Sequence, residues 1–190
     1  SQIKAFIERL SGQESGSSDI DQILSMGAES LGVEDLGGAA QAYAQVLQLD
    51  PQNQKAIAGM ARVYLAGGDP EQARQTIAMA PADSKEPDVV GVRAALALSA
   101  DGGDSDTADL ERRVAADPAD HQARFDLAKA LAAKGRFDEA VDHLLAIVAA
   151  DREWNDQAAR KQLLTVFDAA GASSDVARNG RRRLSSILFA

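Results

Sequence analysis

The 190-residue sequence contains no cysteine, and its aromatics are few: five Phe, two Tyr and one Trp. The missing cysteine excludes a disulfide scaffold, a thiolate nucleophile, an iron–sulfur cluster and a Cys-based zinc site. No apolar run approaches the roughly 18 residues of a membrane-spanning helix. No basic segment followed by an apolar stretch opens the chain, so no secretory signal is expected and a cytoplasmic location is. Positive charge is the minority sign: 20 Lys and Arg stand against 29 Asp and Glu, for a net charge of −9. That balance argues against a nucleic-acid partner, which calls for a basic face, and no membrane partner is expected either. Chemistry-bearing groups are equally sparse. The two histidines, His121 and His143, are 22 residues apart with no HExxH around them. Asp101, Asp104, Asp106 and Asp109 lack the residue order and closing Glu of a calcium loop. Gly102-Gly103 leads to no phosphate-cradling Lys-Ser or Lys-Thr. Carboxylates are spread along the chain rather than paired. No enzyme, cofactor or metal site follows from this inventory.

What the chain has in excess is alanine, 38 residues or one in five. Alanine is the best helix former and is depleted in strands. The apolar residues recur at spacings of three and four, as in Ala56, Met60, Val63, Tyr64 and in Ala140, Leu144, Ile147, Val148. The chain is therefore expected to be all-α.

A repeat emerges when the sequence is laid on itself with an offset of 67. Asp50-Pro51 falls on Asp117-Pro118, Ala61 on Ala128, Gly68 on Gly135, Ala73 on Ala140, and Ile77 on Leu144. That offset is close to two periods of about 34, the length of a tetratricopeptide (TPR) unit. The residue types are those the packing of such a unit asks for. Small residues stand where the two helices touch, a glycine closes the turn between them, and proline stops the second helix. Ala61, Tyr64, Gly68, Ala73, Ile77 and Ala80 fill these positions in one repeat, and Ala128, Leu131, Gly135, Ala140 and Leu144 in another. Working back from Pro51 gives Gly27, Ala39, Tyr43 and Val46. Working back from Pro118 gives a degraded repeat with Leu110, its turn expected at Asp101–Asp104.

The expected architecture is a TPR-like helical-hairpin solenoid. Four helix pairs fall at about 20–50, 53–80, 87–117 and 120–151, followed by two helices at about 154–170 and 174–189. Asp69 is the expected N-cap of a helix opening on Pro70. In domain terms, residues 1–18 read as the last helix of a preceding domain and its linker, 19–151 as the repeats, and 152–190 as capping or docking helices. The first ten residues place Ile3, Phe6, Ile7 and Leu10 on one helical face, and a Ser/Gly-rich stretch follows.

Two segments carry a resemblance. Asp151-Arg-Glu-Trp-Asn-Asp-Gln-Ala-Ala-Arg-Lys-Gln-Leu-Leu164 and Arg181-Arg-Arg-Leu-Ser-Ser-Ile-Leu-Phe189 resemble the C-terminal region of bacterial thioredoxin–TPR co-chaperones of the chaperedoxin (YbbN/CnoX) type. The opening Ser-Gln-Ile-Lys-Ala-Phe-Ile-Glu-Arg-Leu is similar to the last helix of their thioredoxin-like domain. The resemblance implies a thioredoxin-like domain in cis, unfolded polypeptide clients, and hand-over to the chaperonin GroEL or the Hsp70 chaperone DnaK. It also implies that the last helix docks on the chaperonin. The alternatives are a TPR scaffold for one specific partner and the regulatory half of a thiol–disulfide redox protein.

The candidate docking residues are Arg178, Arg181, Arg182, Arg183, Leu184, Ile187, Leu188 and Phe189, a basic stretch running into an apolar stripe. A possible groove is marked by Lys55, Arg62, Phe125 and Lys129 on first helices of repeats. The asparagines of a peptide-carboxylate clamp are missing from those helices, so a reader of acidic C-terminal peptides is not predicted. Trp154 is expected to pack against the last repeat, with Arg152, Arg160 and Lys161 on the polar side of its helix.

Overall fold

Asp35, Asn53, Asp69 and Asp120 each stand just before a helix, and each side chain accepts the backbone N–H three residues on, at 2.8–3.1 Å. These caps satisfy amides that a helix start leaves unpaired. They fix where four of the helices begin. The computed structural model describes residues 18–102 and 107–189. Among the described residues there are ten helices and no strand: α1 (18–32), α2 (Leu36–Leu49), α3 (Gln54–Ala66), α4 (Pro70–Ile77), α5 (Pro87–Gly102), α6 (Thr107–Ala116), α7 (His121–Ala133), α8 (Phe137–Ala150), α9 (Trp154–Ala169) and α10 (Asp175–Phe189). The helices fall in the expected order, and of the expected pairs α3/α4, α7/α8 and α9/α10 pack on each other. The expected opening helix at 1–10 and its linker lie outside the described residues except for Ser18, which is already helical in α1.

The turns follow the repeat. Gly68, Gly135 and Gly171 close α3/α4, α7/α8 and α9/α10 with φ of +80°, +75° and +96°. The matching place between α1 and α2 is held by Glu34, at φ +61°. The expected turn at Asp101–Asp104 is corrected. Asp101 and Gly102 are still helical, so α5 runs further than the Gly-Gly pair suggested, and residues 103–106 lie outside the described residues.

The chain gathers into two units, one ending at Val89 and one beginning at Val90. In the first, Ala39, Tyr43, Val46, Ala56 and Val63 form the core, with Ile20, Ile23, Leu24 and Leu36 packed on it. The Tyr43 ring fits between Gly27 and Gly59, where an added Cβ would meet it at 2.9 and 2.3 Å. In the second unit, α8 packs on α7, α9 and α10. Leu127, Leu131, Leu144, Ile147, Leu163, Val166 and Phe167 are almost fully buried there. The alanines of the repeat code, Ala61, Ala73, Ala128 and Ala140, are fully buried.

One departure is local. Asn155, Asp156 and Gln157 have left-handed backbone angles, φ +46°, +56° and +61°, where a regular helix start was expected. Each such residue costs roughly 1–2 kcal/mol when it carries a side chain. The turn follows directly on Trp154, whose ring packs on Phe125 and His121 of α7.

Candidate partner-binding surface

Ser174 caps the start of α10, its Oγ accepting the Ala177 N–H at 3.2 Å. Its inner face is set by size. Gly180 lies under the Phe167 ring so closely that an added Cβ would sit 2.3 Å from a ring carbon, and Leu184 is buried in the same core. Ile187 and Leu188 are half-buried against it. Phe189 points away, 86% exposed.

The four arginines divide by task. Arg178 pairs with Asp175 one turn earlier. Arg181 donates to the Ala172 carbonyl at 2.6 Å, stands 3.9 Å from Asp168, and lies over the Phe167 ring at 5.4 Å from its centre. Arg183 reaches across to Asp142 of α8 at 2.5 Å. Arg182 is exposed, and its guanidinium has no hydrogen-bond or ion-pair partner among the described residues. The basic stretch is therefore partly a set of fastenings. One stripe at helical spacing, Arg178, Arg182, Ser185 and Phe189, is exposed along its whole length, with Asn179 and Ser186 exposed beside it.

Arg152 is the residue that sequence reasoning misplaced. Rather than lining the polar side of α9, it precedes that helix and donates to the carbonyls of Ile187 (2.6 Å) and Leu188 (3.2 Å) at the end of α10. The two segments that carried the resemblance, 151–164 and 181–189, thus meet at this contact. The available signal was the Asp151-Arg152 pair before Trp154, but nothing local in sequence names a carbonyl 35 residues away.

Trp154 packs as expected. Its ring lies 5.3 Å from Phe125 at 55° and 6.2 Å from His121 at 82°, both on α7. Phe125 is thereby covered rather than offered to a ligand. Lys129 is half-buried on the same helix. His121 Nδ1 is buried without a partner among the described residues. On α8, burial holds the His143 imidazole below its usual pKa range, and Arg124 pushes the same way against Asp142, Glu139 and Glu111.

The other two groove residues belong to the first unit. Arg62 is bound to Asp88 at 2.8 Å, beside the Tyr43 hydroxyl, which burial raises above the usual phenol range. Lys55 is exposed at the edge of an open cleft of about 310 Å³ that also presents Asp21, Asp50 and Glu86. One lysine among three carboxylates does not make a seat for an acidic peptide, and the four predicted residues are not brought together within either unit.

Family models of the tetratricopeptide repeat match residues 30–96 and 100–189. This is a tetratricopeptide-repeat chain. The second match runs through α9 and α10, so the repeat pattern extends into the helices read from sequence as caps. As a TPR chain it is a protein–protein interaction module. A curated relative, the cellulose synthase 1 operon protein C of Komagataeibacter xylinus, is 31% identical over 156 residues, which is 80% of this chain. The chain spans only 11% of that relative's length. Among solved structures, a domain of protein VP0806 from Vibrio parahaemolyticus is 23% identical, with a TM-score of 0.45, over 89% of this chain and 99% of that one. YrrB, described as a TPR protein with an unusual peptide-binding site, is 20% identical, with a TM-score of 0.43, over 94% and 91%. No described helix is long and apolar enough to cross a membrane.

Proposed function

We propose that this TPR chain is the client-holding and docking part of a cytoplasmic thioredoxin-like co-chaperone, without catalytic activity of its own. Its repeats hold unfolded or stress-damaged polypeptides, and α10 passes them on by docking on the chaperonin GroEL, with the Hsp70 chaperone DnaK as a second recipient. The observation that carries the reading is the outer stripe of α10. An acidic chain presents Arg178 and Arg182 and ends the same stripe on an aromatic ring left in water. A large exposed aromatic side chain on one stripe with an arginine that has no ion-pair partner among the described residues, Arg182, has the character of interface anchors. The family resemblance of residues 151–164 and 181–189 supports the choice of partner.

Deleting α10 is a poor test, because Gly180 and Leu184 belong to the core. The surface substitutions R182E and F189A leave that core intact. Capture of the chain on immobilised GroEL is expected to fall at least tenfold in the double variant, the order of two lost interface anchors. Equal capture of wild type and variant would remove the docking reading. Suppression of light scattering by several unrelated denaturing clients tests the holding role.

A second reading is a scaffold that binds one specific partner. It is favoured by the match to a much longer TPR protein named for an operon rather than for a chaperone. It predicts a single stoichiometric complex and no effect on unrelated clients.

A further inference from the structure

We infer that Arg152 is a positioning residue for the docking face, holding the last turn of α10 so that Phe189 is presented on a preformed helix. This deepens the reading above by naming what shapes its site. The docking consequence rests on that reading; the order of the turn does not.

The last carbonyls of any helix have no amide one turn further on to accept from, so the end frays unless something else fills them. Here the filler comes from 35 and 36 residues away, as the fork of Arg152 donates to Ile187 and Leu188. A cation at a helix C-terminus is also favoured by the helix dipole. The fork is aimed by what surrounds it. Asp151 closes α8 through its N–H to the Ile147 carbonyl at 2.8 Å, and its carboxylate accepts the Glu153 N–H at 3.0 Å. Trp154 is seated on Phe125 and His121. The left-handed turn at Asn155–Gln157 follows at once. Strained backbone of this kind persists where its surroundings over-determine it, and here the Trp154 seat and the Arg152 fork fix one side while α9 fixes the other.

The rest of α10 is fastened independently. Ser174 caps its start, Gly180 and Leu184 pack its middle, and Arg183 ties it to Asp142. Beyond Leu184 the only side-chain hydrogen bonds that reach the helix from another element, among the described residues, are those of Arg152. Loss of Arg152 is therefore expected to loosen residues 187–189 and leave the remainder of α10 in place.

The test is residue-resolved amide exchange on the full chain, comparing wild type with R152A and R178A. R152A is expected to raise exchange at Ile187, Leu188 and Phe189 by about three- to tenfold, the order of a lost pair of solvent-exposed hydrogen bonds. Exchange from Ala177 to Leu184 is expected to hold. Because the arginine side chain is exposed, the variant keeps its fold. R178A, which loses a local pair at the other end of the helix, is expected to leave 187–189 unchanged. Unchanged exchange at 187–189 in R152A, a uniform rise along α10, or an equal effect of R178A would each overturn the inference. Capture on immobilised GroEL separates the two claims. If wild type is not captured, the docking reading fails while the exchange result stands. If wild type and R152A are captured equally although exchange has risen, the positioning role is overturned and docking survives.

Discussion

Phe167, the only phenylalanine of α9, lies over Gly180, the one glycine inside α10, so closely that an added Cβ there would sit 2.3 Å from a ring carbon. Both residues are buried, and Arg181 closes the outer side of the ring. A methyl group at position 180 has nowhere to go, because the ring is itself enclosed by the core. Gly180→Ala is therefore expected to destabilise the chain by about 1–3 kcal/mol, the usual cost of overpacking, despite alanine's better helix propensity. Urea denaturation followed by circular dichroism reads this directly. A neutral or stabilising result would show that α10 stands further from α9 than this geometry requires.

Glu34 gives a prediction of the opposite sign. It occupies the turn position that Gly68, Gly135 and Gly171 fill in later repeats, and like them it has positive φ. A side chain there costs roughly 1–2 kcal/mol that glycine does not, while glycine loses somewhat more chain entropy on folding. Glu34 is exposed. The substitution Glu34→Gly is expected to raise stability by about 0.5–1 kcal/mol in chemical denaturation, and Gly135→Ala to lower it by a similar amount. A destabilised Glu34→Gly variant would refute the assignment of this turn.

The acid side of the stability curve has two separable parts. His143 is held below its usual range by burial first, then by Arg124. From about pH 6.5 downward to its folded value, the unfolded chain binds a proton that the folded chain does not, so stability falls as pH falls. Asp120 acts lower. The Ala123 N–H, then Arg113, hold its carboxyl below the usual value. Its contribution is present above the unfolded carboxylate value and is lost as pH drops through the folded one. His143→Gln is expected to flatten the first window and leave the second. Denaturation midpoints between pH 7 and 5 check this, and an unchanged slope in the variant would assign the effect elsewhere.

Most of the fold was legible in the sequence because a repeat writes its packing into residue size. Ala61, Ala73, Ala128 and Ala140 stand at the expected places and are fully buried, and the Asp69-Pro70 start is found as read. The candidate surface was less legible. Spacing placed Arg178, Arg182 and Phe189 on one helix, but Arg181 and Arg183 could not be known as fastenings until Ala172, Asp168 and Asp142 were seen beside them. Arg152 was misread for the same reason. Its partners are backbone carbonyls on another helix, and carbonyls leave no trace in residue identity. The groove residues fail differently. Arg62 and Phe125 carry the right chemistry but have already spent it on Asp88 and Trp154.

Trp154 supplies the last test, because it is the only tryptophan and therefore reports on its own site. It is half-buried against Phe125 and His121, with the strained turn at Asn155–Gln157 just behind it. Trp154→Ala removes one of the two anchors of that turn. The expected cost is about 2 kcal/mol, roughly half that of truncating a fully buried aromatic. Trp154→Phe keeps the ring stack with Phe125 and is expected to cost less than half as much. In the wild type, a shielded indole predicts a blue-shifted emission maximum and weak quenching by acrylamide. Removing its neighbour with Phe125→Ala is expected to shift the emission red without unfolding the chain. An indole that is already fully quenchable in the wild type would mean that α9 does not begin on α7, and the anchoring of Arg152 beside it would fall with that contact.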